Sequence, residues 1–427
     1  MTEGSGIEVS GGRETPAKVD ARIGTIISRN HAPAARVLAE SLARHHPELT
    51  LTVLLVDAEM LPLDGSDEPF DVVTPREIGV QQSQLHEFAS IYDALELCDA
   101  LKPRLLQYLL TAADVGVYVD SDVEFFSRID DLIGLAWSRS ILLTPQMNEP
   151  TPGDGLFPHE KDLLGCGVFN GGFLAVGPRA TRFLEWWERQ LRRYCLHGLI
   201  NGVVLFGDQI WLNYVPCFFE HAVIPDPGCN VAWWNLGPRK IERRSDGDYL
   251  VNGSPLRFFH YSLFDPDVPG LLHIWGPDRR HRAQIASDHP EVAELCRQYA
   301  ARLIDRGYHE ESRIPYGFAR TAAGTPFDPW MRRTCRSSLW GGSEVDGSGI
   351  PDPFSPGDVS RFQQWLREPA RGPAPVPRYL KCIYDERRDL QEAFPELELG
   401  DSERFLDWVR AHGSIEESIP SELVPDR

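Results

Sequence analysis

The chain has 427 residues, 42% of them hydrophobic and 25% charged, which is enough for a sizeable core and for two or three domains. A net charge of −20 argues against nucleic acid or anionic lipid as the main partner. Residues 1–18 lack an apolar signal-peptide region and are expected to be a flexible tail, and no apolar run is long enough to span a membrane. Eight cysteines without a CxxC pair predict reduced, mostly buried thiols and a cytoplasmic location.

The first elements form one βαβ unit, typical of the start of a Rossmann-like sheet. Strands are predicted at 23–27 and 49–56, with a helical pattern over 37–45 between them. The first strand lacks GxGxxG, so a dinucleotide fingerprint is absent. Polar residues stand at the two strand ends, where a nucleotide base and ribose could be held, although helix caps or ordinary surface residues are the alternative. These residues are Ser28, Arg29 and Asp57.

Helical patterns follow over about 80–112. The clearest is 101–110, in which Pro103 suits the first turn. This helix leads directly into the next strand, so Lys102 is expected near the phosphate side of a site. A solvated surface lysine is the alternative.

The central motif is the strand 115–119 followed by Asp120, Ser121 and Asp122. In an extended backbone, side chains at i and i+2 share a face, so the two carboxylates can converge on one cation. Carboxylate oxygens suit Mg²⁺ or Mn²⁺, and ligands in open α/β sheets lie beyond the carboxyl ends of strands. A solvated turn is the alternative. An EF-hand is excluded because Phe125 replaces the required glycine.

Another strand is predicted at 141–144, and small and apolar residues alternate over 165–176 around Asn170. Glycine at position 171 lets a ligand approach closely, as the floor of a sugar site would require, although a strand bulge explains the glycines nearly as well. A helix over 183–195 carries a tryptophan pair that we expect in the core.

Asp208 and Gln209 lie at the start of a further predicted helix, where an acid is often a cap. A strand-like run over 256–264 contains Arg257 and His260. A lone histidine in such a run is more often structural than a ligand.

Helical patterns dominate from residue 286 onward. We therefore predict a main domain over 19–285, a helical extension over 286–336, a Gly/Ser/Pro-rich linker over 337–357 and a helical region over 358–427. The C-terminal helices are predicted at 359–366, 378–393 and 401–412.

Four motifs taken together resemble the retaining glycosyltransferases of the GT-A fold, family 8 and its relatives such as glycogenin and the bacterial lipooligosaccharide galactosyltransferases. They cover roughly residues 20–270. The motifs are Tyr118-Val-Asp-Ser-Asp122, Phe169-Asn-Gly-Gly172, Gly207-Asp-Gln-Ile-Trp-Leu-Asn213 and Phe258-Phe-His260. The resemblance implies an α/β GT-A fold, a Rossmann-like mixed sheet between helices, with a mainly helical C-terminal extension.

The resemblance also implies a hexosyltransferase that moves a sugar from a nucleotide-sugar donor, with UDP favoured, to an acceptor hydroxyl with retention. Mn²⁺ or Mg²⁺ would be bound by Asp120, Asp122 and His260 and would bridge the donor diphosphate. Asp208 and Gln209 would line the reacting face and act as catalytic residues. The other donor-binding positions implied are Ser28, Arg29, Asp57, Lys102, Asp120, Ser121, Asn170, Gly171 and Arg257.

One departure from the family concerns the diphosphate. The run after His260 lacks the family's lysine, for which Arg257 or Lys102 could substitute. The acceptor could be a saccharide, a lipid-linked saccharide, a protein or a small molecule. Two alternatives stay open: a two-carboxylate glycoside hydrolase that needs no metal, and a non-catalytic protein that binds nucleotide sugars or serves as a scaffold.

Overall fold

The structure is a computed structural model, which describes residues 19–200, 202–274, 281, 283–340, 349–370 and 375–425. The chain divides into two compact units. One runs to Gly79 and resumes over Leu95–Ile314, and the other combines Val80–Ala94 with the chain from Pro315 onward. The predicted N-terminal tail and residues 341–348 of the predicted linker lie outside the described residues.

The first unit contains all the strands of the described residues. They are β1 Ala21–Ile27, β2 Leu51–Leu55, β3 Asp71–Val73, β4 Val115–Val119, β5 Val123–Phe125, β6 Ile141–Pro145, β7 Phe169–Val176, β8 His197–Ile200, β9 Val203–Phe206, β10 Ala222–Val223, β11 Ile241–Arg243, β12 Tyr249–Val251, β13 Ser254–Pro255 and β14 Phe258–His260.

The α-helices, numbered along the whole chain, fall in both units. The helices α1 Ala32–His45, α3 Ala94–Leu110, α4 Asp130–Arg139, α5 Glu160–Cys166, α6 Thr181–Tyr194, α7 Val215–Phe218, α8 Pro290–Asp305 and α9 Tyr308–Glu311 accompany the strands. The second unit has α2 Gln82–Ile91, α10 Pro329–Trp340, α11 Val359–Arg367, α12 Arg378–Glu386, α13 Arg388–Ala393, α14 Ser402–Trp408 and α15 Ser414–Glu416. Short 3-10 helices include Arg29–His31, Gln209–Tyr214 and Trp233–Asn235, and π-helical turns span Leu397–Asp401 and Val409–Gly413.

The main sheet has seven strands in the order β10-β6-β7-β4-β1-β2-β3. β4, β1, β2 and β3 run parallel to one another, whereas β7 is antiparallel to both β4 and β6. The predicted α/β class with a mixed sheet and a mainly helical C-terminal region is confirmed. The parallel strands β1, β2 and β4 have their carboxyl ends at the same edge of the sheet. The antiparallel strand β7 begins at that edge, and its residue Phe173 pairs with Val119 at the end of β4.

The two faces of the sheet are covered by different helices. Alternate residues of β1 and β4, such as Ile23 and Val117, join a buried apolar cluster with α1 and α4. On the opposite face, Gly24 and Gly116 leave room for the leucine side chains of α3. Neighbouring residues of a strand point to opposite faces. This alternation therefore places α3 on the face of β4 opposite to α1 and α4.

The helix α3 begins earlier than the sequence predicts. It starts at Ala94, so Pro103 lies inside the helix rather than in its first turn. Leu97, Leu101 and Leu105 are fully buried, and their packing stabilises the helix across the proline. Because α3 extends back to residue 94, Asp99 and Lys102 occupy successive turns of one continuous helix.

The helix α8 belongs to the sheet-bearing unit, which differs from the predicted boundary at residue 286. Its buried face joins an apolar cluster with the strands β12 and β14. Tyr299 of α8 stacks on Tyr261 with ring centroids 3.8 Å apart. Arg302 of α8 also binds the buried Glu124 of β5 at 2.6 Å.

The second unit is built around α2 and α10. Arg332 of α10 donates a hydrogen bond to the carbonyl of Ala89 at the end of α2, at 3.2 Å. His86 of α2 contacts Asp352 at 2.6 Å and lies edge-on to Phe318 and Phe354. The segment 80–94 therefore folds with residues more than 200 positions away in sequence.

None of the described helices has the length and apolar character that a membrane crossing requires. All eight cysteines are free, and five of them are buried.

Candidate active site

The two aspartates of the central motif lie in a turn between β4 and β5. The amide of Asp120 donates to the carbonyl of Gly172 at 2.8 Å, and the amide of Val123 donates to the carbonyl of Asp120 at 3.2 Å. The extended backbone predicted for this stretch is therefore wrong, since the second hydrogen bond closes a turn. β5 pairs with β14 so that Val123 stands opposite His260, which places the histidine beside Asp122.

Asp120, Asp122 and His260 converge at this turn. The Nε2 atom of His260 lies 3.2 Å from an Asp122 oxygen and 3.7 Å from an Asp120 oxygen. One ligand atom from each of the three residues lies within 4.8 Å of the other two. Two carboxylates and one imidazole are a donor set that fits Mn²⁺, with Mg²⁺ as the harder alternative.

Gly172 provides the space in which these side chains meet. A methyl group on its Cα would lie 2.5 Å from Cε1 of His260, 2.8 Å from an Asp120 oxygen and 2.9 Å from the Asn170 side-chain oxygen. Such distances are closer than nonbonded atoms approach, so any larger residue must displace the cluster. The glycine is thus required by the arrangement of the three side chains around it.

We expect Gly172→Ala to lower the affinity of this cluster for Mn²⁺ by about a hundredfold, because a displacement near 1 Å is enough to disrupt a ligand set. The measurement is Mn²⁺ binding followed by electron paramagnetic resonance of the free ion. Gly65→Ala is the control, since its added methyl would only touch Val72 at 3.4 Å. Unaltered Mn²⁺ binding by Gly172→Ala would contradict the proposed arrangement.

Asn230 holds His260 in the orientation that points Nε2 at the carboxylates. Its side-chain oxygen lies 3.2 Å from Nδ1 of His260, so Nδ1 donates and Nε2 is directed toward Asp120 and Asp122. The Asn230 backbone is left-handed, with φ of 51°, and its carbonyl accepts hydrogen bonds from Asn235 and Arg239. A residue that orients a ligand in this way strengthens the binding of a metal without touching it.

Asn230→Gly should therefore weaken Mn²⁺ binding about 10–100-fold while keeping the backbone conformation, which glycine adopts readily. Asn252→Gly is a matched control, because Asn252 also has φ of 51° but is exposed and lies in a different turn. Equal Mn²⁺ affinities for the two variants, measured by calorimetry, would show that Asn230 does not orient His260.

Lys102 lies at the centre of a buried charge cluster. Its Nζ is 2.9 Å from Asp99, 3.2 Å from Asp208 and 3.6 Å from Asp120, and it donates to the carbonyl of Gly171 at 3.4 Å. The Lys102 side chain is 3% exposed, so the alternative of a solvated surface lysine is wrong. Although burial opposes its charge, the surrounding carboxylates raise the pKa of Lys102 well above its usual value.

Asp208 does not cap the helical turn that follows it, because it makes no side-chain bond to that turn. Its carboxylate instead faces Lys102 and lies 2.7 Å from where a side chain on Gly171 would begin. Burial raises the pKa of Asp208 well above its usual range, against the opposing effect of Lys102, and the charges of Asp99 and Asp120 raise it further. Its Oδ2 atom is buried and has no hydrogen-bond partner among the described residues.

Asp99 is joined to His197 at the base of the β8–β9 pair. His197 Nε2 lies 3.1 Å from an Asp99 oxygen. Burial alone would raise the pKa of Asp99, but Lys102 and His197 together lower it. The cluster thus brings the Lys102 ammonium and the His197 imidazole together with carboxyl groups from α3, the β4 turn and the loop before Gln209.

Asn170 and Gln209 form a hydrogen-bonded floor beside this cluster. The Gln209 oxygen accepts from the Gly171 amide at 2.9 Å and from Asn170 Nδ2 at 3.1 Å, and its amide group donates to the Cys166 carbonyl at 2.8 Å. The Asn170 oxygen accepts from the Gly172 amide. The pairing of β6 with β7 is irregular between Leu143 and Thr144, which agrees with the bulge alternative, and the Asp208 carboxyl lies beside Gly171.

Ser28, Arg29 and Asp57 lie at the same edge of the sheet, at the ends of β1 and β2. The Asp57 carboxylate accepts from the Arg29 amide at 2.9 Å, and the Ser28 hydroxyl donates to Asn30 at 2.7 Å. The Arg29 guanidinium pairs with Glu311 of α9. The structure therefore places Ser28, Arg29 and Asp57 together at the predicted edge. The Arg29 guanidinium is engaged there by the Glu311 carboxylate.

Arg257 is not brought to the cluster. Adjacent strand residues alternate in direction, and its guanidinium binds Asp226 at 3.1 Å and Asp131 at 3.0 Å. A further His/carboxylate group, His46, Glu48 and Asp130, is also engaged internally. Arg128 pairs with both of its acids, and His46 Nε2 accepts the amide of Ile129.

Sequence reasoning missed Asp99 and Asn230. Asp99 had a detectable signal, because it lies three residues before Lys102 on one helix face. Asn230 had no such sequence signal beyond its place in a run of aromatic and amide residues. Its role depends on a turn that brings its side chain next to Nδ1 of His260.

No family model matches the chain. The uncharacterized protein YfnF of Bacillus subtilis (strain 168) is 25% identical over 250 residues, which cover 56% of this chain and 80% of that protein. The galactosyltransferase LgtC, solved with donor and acceptor sugar analogs, is similar with 17% identity and a TM-score of 0.37 over 64% of this chain and 95% of that chain. The glycosyltransferase GlyE of Streptococcus pneumoniae TIGR4 is similar with 13% identity and a TM-score of 0.35 over 69% of this chain and 66% of that chain. The function of this protein is therefore inferred from the residues of its own site.

Proposed function

We propose that the protein is a metal-dependent glycosyltransferase that transfers a sugar from a nucleotide-sugar donor, UDP-linked by family resemblance, to an acceptor hydroxyl with retention. The observation that carries the proposal is the convergence of Asp120, Asp122 and His260 at the carboxyl edge of the sheet. This edge is where ligands of open α/β sheets bind, and a local metal would let a protein of net charge −20 hold a diphosphate.

Within this proposal, Asp120, Asp122 and His260 hold Mn²⁺ or Mg²⁺. When bound, the metal stabilises the charge that develops on the departing diphosphate. The buried Lys102 ammonium lies 3.6 Å from an Asp120 oxygen and positions this carboxylate. Ser28, Arg29 and Asp57 are the candidate contacts for the base and ribose, and Ser121 stays a candidate for the phosphate side.

Asp208 and Asn170 are the candidate groups for the donor sugar. Asp208 has a buried oxygen without a partner among the described residues, which leaves it an acceptor for a sugar hydroxyl. The side-chain oxygen of Gln209 accepts hydrogen bonds from the Gly171 amide and from Asn170. We therefore assign Gln209 to positioning these two residues. Lys102 lies 3.2 Å from Asp208 and holds this side chain beside Gly171.

The hydrolase alternative is not favoured. A glycosidase places two carboxyl groups about 5–10 Å apart across an open site, one of them free to donate a proton. Here the carboxylates converge instead on one imidazole and one buried lysine. A scaffold would also have little need of an orienting contact such as that between Asn230 and His260.

The experiment is thermal unfolding with UDP, GDP, CDP and dTDP, each with and without Mn²⁺. A ligand at 100 times its dissociation constant stabilises the folded state by about 2.7 kcal/mol, so no acceptor is needed. We expect one nucleotide to raise the melting temperature only when Mn²⁺ is present. No shift with any of the four nucleotides would refute the donor site and leave the scaffold alternative.

A further inference from the structure

An exposed apolar surface lies on the sheet-bearing unit, on elements that flank the loop of Asp208. We define this surface by five exposed side chains. They are Leu164, Leu199, Val204, Tyr214 and Phe218, each between 48% and 70% exposed, and Leu199 and Val204 stand opposite each other on one face of the β8–β9 pair. The surface spans α5, the antiparallel pair β8–β9, the 3-10 helix Gln209–Tyr214 and α7.

These elements are neighbours in the fold, and a methyl group on Gly165 of α5 would lie 3.8 Å from the Val204 side chain. β9 packs against α5 and against Gln209–Tyr214. The rings of Tyr214 and Phe218 stack with centroids 5.5 Å apart, and Trp186 of α6 lies edge-on to both. Soluble surfaces seldom leave so many aliphatic and aromatic side chains together, so this surface marks an interaction site.

The neighbouring helix α6 is basic, in contrast to the chain as a whole. It carries Arg182, Arg189, Arg192 and Arg193 against two glutamates, whereas the whole chain has a net charge of −20. One of those glutamates, Glu188, is paired with Arg104. Among the described residues, Arg189 and Arg193 have no ion-pair partner, so their charges are available to an anionic surface.

We propose that this surface docks onto an anionic lipid bilayer. Aromatic and aliphatic side chains beside arginines are the composition that binds the membrane interface, where rings lie at headgroup level and guanidinium groups meet lipid phosphates. An acidic protein is repelled by such a bilayer except where a local basic face adjoins an apolar one. The same 3-10 helix follows Asp208 directly, so docking brings the candidate active site to the bilayer.

The test is sedimentation of the full chain with vesicles of phosphatidylcholine, alone or mixed with phosphatidylglycerol. We expect binding to the mixed vesicles that weakens as salt is raised. Leu199→Ser/Phe218→Ser and Arg189→Glu/Arg193→Glu should each lower the partition coefficient by about tenfold or more. Since all four side chains are largely exposed or lie on the surface of α6, circular dichroism should show both variants folded.

Matched controls come from the other unit. Ile415→Ser removes an apolar side chain that is 81% exposed, and Arg388→Glu reverses a charge on a 91% exposed side chain. Both control variants should bind the vesicles as the wild type does. The proposal is overturned by absence of vesicle binding, by equal losses in the control variants, or by wild-type self-association that Leu199→Ser/Phe218→Ser abolishes in sedimentation velocity. This inference does not use the proposed transferase activity, because its measurement is lipid binding alone.

Discussion

Asp122→Ala is expected to lower the proposed sugar transfer by a factor of about 10³ and to leave the protein folded. Asp122 is one of the three proposed metal ligands, and removing a group that stabilises transition-state charge costs about 10²–10³ in rate. Its side chain is 37% exposed and lies 3.2 Å from His260, so the free energy of unfolding should change by less than about 1 kcal/mol. The measurement is release of nucleoside diphosphate from the donor that the nucleotide panel selects, together with the melting temperature.

Asp130→Ala is the matched control for this variant. Asp130 belongs to the second His/carboxylate group, is 59% exposed and pairs with Arg128. It should keep full activity and full Mn²⁺ dependence. If Asp122→Ala retained transfer while Asp130→Ala lost it, the metal site would have been assigned to the wrong acidic group.

Lys102→Met should cost about 3–5 kcal/mol in the free energy of unfolding. Removing one partner of a buried ionic cluster leaves the others desolvated without compensation, and here three carboxylates share the lysine. Lys240→Met is the control, since Lys240 is 79% exposed and pairs with an exposed glutamate. Denaturant unfolding of both variants gives the comparison directly.

The double variant Lys102→Met/Asp208→Asn separates stability from function. Replacing the buried Asp208 carboxyl by an amide that cannot ionise should restore at least about 1 kcal/mol relative to Lys102→Met, because the two residues are in contact. Transfer should stay low, since Asp208 is proposed to contact the sugar. Additive losses of stability in the double variant would mean that the two side chains are not energetically coupled.

The sequence was sufficient for features that depend on neighbouring residues. The apolar run before Asp120 predicted β4, and the parallel strands β1 and β2 placed Ser28 and Asp57 at the edge that Asp120 also occupies. The α/β class followed from the same alternation of strands and helices. The position of His260 beside Asp122 was implied by family resemblance and not by local pattern.

Features that depend on distant residues could not be predicted. Lys102 is buried because Asp208 meets it from a loop 106 positions later, which no helical periodicity indicates. Segment 80–94 also folds with residues beyond 314, so neither its unit nor the place of α8 could be found from composition. Arg257 was a plausible phosphate ligand by charge alone, but strand alternation directs it to Asp226 and Asp131.

Anomalous diffraction at the manganese edge, from crystals soaked in Mn²⁺ and UDP, tests the central claim most directly. The account predicts a peak about 2.0–2.3 Å from oxygens of Asp120 and Asp122 and from Nε2 of His260, with diphosphate oxygens completing the coordination. A peak elsewhere, or well-ordered UDP at this edge with no metal between the diphosphate and these three residues, would contradict it.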